Sequence, residues 1–386
     1  MSNSRCLASP CSSRLGHSSE LDGSRNLRRL ASLDVLRGFD LFLLVFLQPV
    51  LWTLLHQVDT PAAHAILYHF DHETWDGFRF WDLVMPLFLF MSGASMPFAL
   101  SRYVSREGGI RSKFPLSQAY RKVFRRFFIL FALGMVVQGN VLALDVASLK
   151  IYVNTLQAIG VGYVIAAMVL LHFRLRGQVA ATLLLLLTYA VPMLLCGDFS
   201  LEGNLASRID AMLMGHFQGD PTYAWMLPSL NFGVTVMLGV FAGEIIRMAP
   251  SPSRRTVLLL LAVGAGLVVA GLLLDPAIPI NKRIWSTSMT LLSGGYCMWL
   301  MAIFYALVDV CGIHRPFDWL KMYGMNSIVA YMLGETVNFR SIVHSLCYGL
   351  EQYLGAYYAT LLTFGNFLLL FFILYGMYRA RIFVKI

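Results

Sequence analysis

The sequence predicts an all-α, polytopic membrane protein with about ten transmembrane helices and both termini in the cytoplasm. Three observations predict this class: a hydrophobic fraction of 58% against only 13% charged residues, a series of long apolar runs, and a one-sided distribution of lysine and arginine. Average soluble domains carry roughly twice this charged fraction. A soluble globular enzyme, a disordered protein and a disulfide scaffold are therefore excluded.

Ten apolar runs are long enough to cross a bilayer as helices, which takes about 20 residues each, and they are too long for buried strands. In the sixth run, Gly239 and Gly243 form a GxxxG pattern, which is typical of close helix packing. The approximate bounds of the ten runs are 34–55, 81–100, 127–144, 151–171, 179–196, 226–246, 256–274, 286–308, 322–338 and 355–378.

The basic residues indicate how these helices are oriented. With the N-terminus inside, 23 of the 30 Lys and Arg residues fall on the cytoplasmic side, six fall on the outer side, and Arg37 lies within the first run. Cytoplasmic loops typically carry such an excess. Topology thus explains the formal charge of +9, and no nucleic-acid partner is expected. Residues 1–30 lack the apolar segment of a signal peptide and predict a disordered cytoplasmic tail before a single transmembrane domain at 31–386.

The first candidate site lies at the inner end of the first run. Asp34, Arg37 and Asp40 share one helical face, where charges are costly unless they pair or line a polar cavity. Two interpretations stay open. Arg37 pairs with Asp34 and anchors the helix end, or it binds an anionic ligand from the cytoplasm.

The densest polar segment, residues 69–86, precedes and enters the second run. It contains His72, and Asp82 lies just inside the run, a costly place for a carboxylate. A histidine beside a carboxylate is the usual general base for an amine or hydroxyl. His69 and His72 are one residue short of a helical i, i+4 pair of metal ligands, so we expect no metal.

Two further segments carry polar residues near or inside the membrane. Residues 278–288 enter the eighth run from outside and include Asn281 and Lys282, which we take as candidates for substrate binding. Asn326 and Glu335 lie within the ninth run, and intramembrane polar groups are functional candidates by default. For Asn326, interhelical hydrogen bonding is an equal alternative to ligand binding.

In their order along the chain, these motifs resemble the transmembrane acyltransferase family of heparan-α-glucosaminide N-acetyltransferase and its bacterial relatives. HxxW[ND]G followed by DLxxPxFxFxxG is the most specific part. Two patterns depart from the family and concern substrate contacts: Gln48 replaces an asparagine, and LQRLG appears as LQAIG at 156–160. The matching stretches are SLDVLRGFD (32–40), HETWDGFRFWDLVMPLFLFMSGASM (72–96), LQAIGVGYV (156–164), RIDAMLMG (208–215), IPINKRIWSTS (278–288) and GMNSIVAY (324–331).

The resemblance implies an enzyme that uses cytoplasmic acetyl-CoA to acetylate a sugar, an amino sugar or a glycan hydroxyl, on the far side of the membrane. It implies that His72 is catalytic, as general base or as acetyl carrier, and that Asp82 belongs to the same site. On this basis we expect Trp75 to stack on the sugar and Asp76 to accept its hydroxyl hydrogen bonds. Basic side chains suit the CoA phosphates, and the candidates are Arg37, Arg121, Lys122, Arg125 and Arg126.

The family further implies a homodimer, and its bacterial members imply a bacterial inner membrane with the His72 loop on the periplasmic side. A sugar permease is the alternative function. A permease typically concentrates polar residues at the bilayer midplane, often beside broken helices. Here the densest polar cluster lies at one outer surface, which favours the acyltransferase.

Overall fold

The computed structural model describes residues 30–104 and 115–384, and within them the chain is helical with no β-strand. The predicted tail, residues 1–30, lies almost entirely outside the described residues. The main helices are α1 (Ala31–Leu55), α2 (Pro61–His69), α3 (Phe80–Ala99), α4 (Leu116–Val137), α5 (Thr155–His172), α6 (Leu175–Cys196), α7 (Leu205–Met214), α8 (Ser229–Met248), α9 (Arg254–Leu274), α10 (Thr287–Val310), α11 (Asp318–Met325), α12 (Ser327–Thr336), α13 (Phe339–Cys347) and α14 (Tyr358–Arg379). Short helical turns lie at Val141–Ala143, Gly215–Phe217, Arg315–Phe317, Tyr348–Leu350, Glu351–Leu354 and Gly355–Tyr357.

Eight helical segments in the described part of the chain are long and apolar enough to cross a membrane. They are α1, α3, α5, α6, α8, α9, α10 and the segment Phe339–Arg379, which contains α13 and α14. The all-α class is confirmed, and the protein is an integral membrane protein. The count of ten helices stays a prediction.

The third and ninth predicted runs account for the difference. Helix α4 has 22 residues but starts earlier than the predicted 127, so its first turns carry the basic residues of the preceding segment. In the ninth run the helix breaks at Asn326, between α11 and α12, and neither piece is long enough to span a bilayer alone. The Asn326 side chain donates to Ile382 O over 3.0 Å and accepts from Val384 N over 3.1 Å, so it holds the C-terminal segment against the break.

Helix α8 forms the centre of the bundle and packs against α3, α5 and α10. Its glycines allow this approach: a Cβ on Gly239 would collide with the carbonyl of Phe90, and one on Gly243 with the carbonyl of Ala94. Gly93 on α3 meets the carbonyl of Val236 in the same way. The GxxxG pattern therefore marks a helix contact, as predicted from the sequence.

The outer helices α6, α9 and α14 expose much of their apolar surface. Leu195 on α6 is 82% exposed and Leu273 on α9 is 75% exposed. Exposed leucine faces are costly in water but suit lipid chains, which are equally apolar. These faces are consistent with helices at the lipid boundary.

The connecting segments 56–79, 138–154, 197–228 and 275–286 meet at one end of the bundle, called here the loop end. Hydrogen bonds join them: Gly77 N donates to Ile280 O over 2.8 Å, and Ala224 N donates to Arg283 O over 2.9 Å. The start of α1 and the C-terminal segment lie at the opposite end. This grouping fits the predicted alternation of the helices, while the side of the membrane that each end faces stays a prediction.

Candidate active site

Asp82 is fixed at the first turn of α3, at the loop end. Its Oδ2 accepts hydrogen bonds from Arg79 N over 3.0 Å and from Glu73 N over 3.3 Å, and its side chain is only 1% exposed. A carboxylate at a helix N-terminus is stabilised by the backbone N–H groups there. These two bonds also fold the segment 73–79 back over the start of α3.

A bidentate ion pair fixes the same segment from outside. Arg79 Nε donates to Glu73 Oε2 over 2.9 Å and Arg79 Nη2 donates to Glu73 Oε1 over 3.0 Å. The pair lowers the pKa of Glu73 and raises that of Arg79, mainly through these hydrogen bonds. The guanidinium also lies over the ring of Tyr68, 4.0 Å from its centroid. His72 therefore emerges from a segment with several fixed contacts.

His72 contacts Asp82 directly. His72 Nδ1 lies 2.8 Å from Asp82 Oδ1, and because a carboxylate can only accept, Nδ1 carries the proton and donates. The other ring nitrogen, Nε2, is then an acceptor. The His72 side chain is 39% exposed and lines the neighbouring cavity, so the ring is accessible from that side.

Lys282 comes from a distant segment and completes the cluster. Its Nζ lies 3.4 Å from Asp82 Oδ1, 2.9 Å from His72 Nδ1 and 3.5 Å from His72 Nε2, and its side chain is 10% exposed. The backbone around it is held by Asn281, whose Oδ1 accepts from Arg283 N and Ile284 N. Asn281 is fully buried, so the structure gives it a loop-holding contact while substrate binding by Asn281 stays a prediction.

Burial lowers the pKa values of both basic groups. The pKa of His72 falls below 6.5, mainly because burial disfavours the imidazolium and also because of the Lys282 charge, while Asp82 opposes the shift. Burial also lowers the pKa of Lys282 to about 8, against the attraction of Asp82. His72 is therefore neutral, and able to accept a proton, at neutral pH.

A cavity of about 610 Å³ opens beside His72. Its walls combine aromatic rings with a few polar groups, an arrangement common in small-molecule sites. The aromatic residues are Trp81, Phe88, Tyr223, Trp225, Phe232, Trp285 and Tyr331, and the polar and charged ones include Gln138, Lys150, Asp220, Lys282, Arg283 and Glu335.

A second cavity of about 500 Å³ lies toward the other end of the bundle. Arg37 and Arg126 line it, and Phe88, Thr155 and Tyr331 line both cavities. The two cavities are therefore neighbours, one beside Arg37 and Arg126 and the other beside His72.

The five arginine and lysine candidates divide between this second cavity and the surface. Arg126 lies over the ring of Tyr163, 4.3 Å from its centroid, and its buried Nε has no hydrogen-bond partner among the residues that the structure describes. Arg37 Nη1 lies 3.8 Å from Asp34 Oδ1, so the predicted pair forms while Arg37 also faces the cavity. The other three candidates are exposed on α4 and do not line this cavity: Arg121, Lys122 and Arg125.

Three other predicted site residues line neither of these two cavities: Trp75, Asp76 and Asn326. Trp75 Nε1 donates to Phe199 O over 2.9 Å, and its ring packs against a small apolar cluster at the loop end. Asp76 is exposed, and Asn326 holds the C-terminal segment. Sugar contacts by Trp75 and Asp76 stay predictions, as does ligand binding by Asn326.

Sequence reasoning missed several cavity residues, among them Lys150, Tyr223 and Trp225. One signal was available for Lys150, a lone cation directly before an apolar run. Tyr223 and Trp225 lie in a connecting segment with no distinctive motif. No group of three or more His, Cys, Asp or Glu side chains within 30–104 and 115–384 is arranged to hold a metal ion.

Fold and site together define an integral membrane protein with a His–Asp–Lys cluster at the mouth of an aromatic cavity. The profile of the family described as heparan-alpha-glucosaminide N-acetyltransferase, catalytic, matches residues 29–271, and this chain belongs to that family. The human heparan-alpha-glucosaminide N-acetyltransferase is 26% identical over 371 residues, covering 79% of this chain and 52% of the human protein. The mouse protein is 25% identical over 376 residues, covering 80% and 54%. The chain thus spans about half the length of these curated relatives.

Proposed function

We propose that the protein is a membrane acetyltransferase that moves the acetyl group of acetyl-CoA to an amine or hydroxyl of a sugar. The observation that carries this proposal is the His72–Asp82 hydrogen bond of 2.8 Å at the edge of the larger cavity. An imidazole with one nitrogen on a buried carboxylate and the other free is the arrangement of a general base. Membership of the family supports the same chemistry.

In this proposal acetyl-CoA enters through the second cavity. Arg37 and Arg126 hold its phosphates, since guanidinium groups form strong charge-assisted hydrogen bonds with phosphate. Arg126 suits this role because its buried Nε lacks a hydrogen-bond partner within 30–104 and 115–384. The pantetheine arm then passes Phe88 and Thr155, which line both cavities, and brings the thioester to His72. The exposed cations of α4 act at longer range.

The chemical step needs only groups that the cluster supplies. The acceptor nitrogen or oxygen attacks the carbonyl carbon of the thioester while His72 Nε2 takes its proton. The bond between carbon and sulfur breaks, and the proton returns from His72 to the CoA sulfur. In the second version, Nε2 itself attacks the carbonyl carbon, and the bond from carbon to sulfur breaks to release the CoA thiolate. The acceptor then attacks the acetyl group, the bond from carbon to Nε2 breaks, and the proton of the acceptor neutralises the CoA thiolate. Asp82 fixes the tautomer that both versions require.

The acceptor occupies the larger cavity. Tyr223, Trp225 and Trp81 offer apolar faces to a sugar ring, and Gln138 and Asp220 offer hydrogen-bond partners to its hydroxyls. Both terminal amino sugars and glycan hydroxyls fit this description.

In this proposal the loop end faces the outer side of the membrane, which is the periplasm for a bacterial inner membrane. Two copies of the chain form a homodimer. The side can be tested with Thr74→Cys in a variant without native cysteines, labelled by a membrane-impermeant maleimide in intact cells.

The deciding experiment measures CoA release by the purified full chain in detergent, with acetyl-CoA and glucosamine or a panel of glycans. We expect release that depends on the acceptor and is lost in His72→Ala. His64→Ala is the matched control, because His64 also lies 2.8 Å from a carboxylate, that of Asp59, but is exposed. Radiolabelled acetyl retained on the protein would favour the carrier version. Sugar uptake by proteoliposomes without CoA release would overturn the proposal in favour of a permease.

A further inference from the structure

The Lys282 ammonium lies over the face of the His72 ring. Its Nζ is nearly equidistant from the two ring nitrogens, 2.9 Å from Nδ1 and 3.5 Å from Nε2. A donor in the ring plane at Nδ1 would be much farther from Nε2, because the Nδ1 bond direction points away from Nε2. The face position leaves both in-plane directions open, so Nδ1 can donate to Asp82 while Nε2 faces the cavity.

The ammonium of Lys282 contacts other residues of the cluster. Its side chain is 10% exposed, and its closest polar atoms belong to His72 and Asp82. Lys282 also lines the larger cavity, and substrate binding by Lys282 stays a prediction. Its ammonium nevertheless contacts the two residues to which the proposed chemistry belongs.

The charge balance of the cluster limits the protonation of His72. The charged groups facing it are Asp82 at the start of α3, Asp71 in its own segment and Lys282 from the segment 275–286, and Tyr223 is a neighbouring titratable group. Asp71 is exposed and bonds the His72 backbone N–H, so water screens its charge. Asp82 and Lys282 already neutralise each other over 3.4 Å. A proton on His72 would add an uncompensated positive charge beside the ammonium.

We propose that Lys282 is a positioning residue that keeps the His72 imidazole neutral and its Nε2 directed to the reacting groups. The inference rests on the proposed function of His72. The same repulsion assists the second half of the reaction: once Nε2 has taken the acceptor proton, the nearby ammonium makes the imidazolium a stronger acid. It then gives the proton to the CoA sulfur more readily.

The test measures the protonation of His72 without any turnover. Diethyl pyrocarbonate acylates neutral imidazole, so the rate of His72 modification against pH, followed by peptide mass spectrometry on the full chain in detergent, gives a midpoint. We expect Lys282→Met to raise this midpoint by about one pH unit, since it removes a like charge within bonding distance. Lys282→Arg keeps the cation and keeps the midpoint near that of the wild type.

Lys150→Met is the matched control for this midpoint. Lys150 lines the same cavity, but its ammonium donates to His216 O over 3.0 Å and has no contact with His72. An unchanged or lower midpoint in Lys282→Met, or an equal rise in Lys150→Met, would overturn the inference. If Lys282→Met fails to fold, Lys282→Gln replaces it, because its amide can still donate to Asp82 without a charge.

Activity separates this inference from the proposed function. In an active enzyme the acid limb of kcat/KM in Lys282→Met moves by the same amount as the modification midpoint. A protein that shows the midpoint shift but releases no CoA would contradict the proposed function and leave the role of Lys282 supported. If the enzyme is active but Lys282→Met changes neither the acid limb of kcat/KM nor the modification midpoint of His72, the inference alone is contradicted.

Discussion

Replacing Asp82 with asparagine tests the centre of the proposed site. The carboxylate accepts from Arg79 N, Glu73 N and His72 Nδ1 and lies 3.4 Å from Lys282 Nζ. The two backbone donors hold the amide oxygen of an asparagine at the Oδ2 position. The amide nitrogen then faces His72 Nδ1 and can only donate. His72 must therefore adopt the other tautomer, with the proton on Nε2. In this tautomer Nε2 cannot accept a proton from the acceptor.

Loss of the correct tautomer is expected to lower kcat by about 10²- to 10⁴-fold. KM for acetyl-CoA should change little, because Asp82 does not line the second cavity. The substitution also removes the counter-charge of Lys282, which is 10% exposed. Breaking a buried ion pair from one side costs about 3 kcal/mol or more, so the melting temperature should fall as well.

The assay is CoA release at saturating substrates, combined with thermal melting of the same preparations. Asp71→Asn is the matched control, since Asp71 also accepts from His72, through the backbone N–H over 2.8 Å, but is exposed. It should keep kcat within about threefold, because exposed charges contribute little. A folded Asp82→Asn variant with more than about a third of wild-type kcat would refute the reasoning.

Three further predictions concern pH, the donor cavity and the helix contacts. Because burial lowers the pKa of His72, kcat/KM should rise with pH to a plateau with its midpoint below 6.5, and a midpoint above about 7 would contradict a neutral base. Arg126→Met should raise KM for acetyl-CoA by about tenfold or more, because it removes one charged hydrogen bond to the donor. Arg125 is exposed, so Arg125→Met should change this KM by less than about threefold. Equal effects of the two substitutions would contradict the assignment of the second cavity to the donor. Gly239→Ala should destabilise the bundle by about 1–3 kcal/mol, because its Cβ meets the backbone of α3. Gly266→Ala is the control in thermal melting, because no atom of the described residues outside its own helix lies within 4 Å of the added Cβ. Equal melting temperatures would contradict the close contact of α3 and α8.

Local sequence was enough for the helices and for part of the site. Apolar length alone predicted eight segments that the structure shows as membrane-compatible helices, because a bilayer forces the backbone to satisfy its own hydrogen bonds. The ninth predicted run is interrupted at Asn326, whose side chain bonds the C-terminal segment. The hydropathy of a segment contains no information about such a tertiary contact.

The sequence by itself determined the class of protein, the segment that carries His72, and the family to which the chain belongs. These depend on composition and short motifs, which require no knowledge of the contacts between residues distant in the sequence. The tertiary structure decided that Asp82 is buried against His72 and that Lys282, 210 residues further along the chain, lies over the same ring. Hydrogen bonds between loop segments, such as Gly77 N to Ile280 O, bring those positions together. Such bonds depend on how the helices of the whole bundle pack, and for that reason no local pattern contains them.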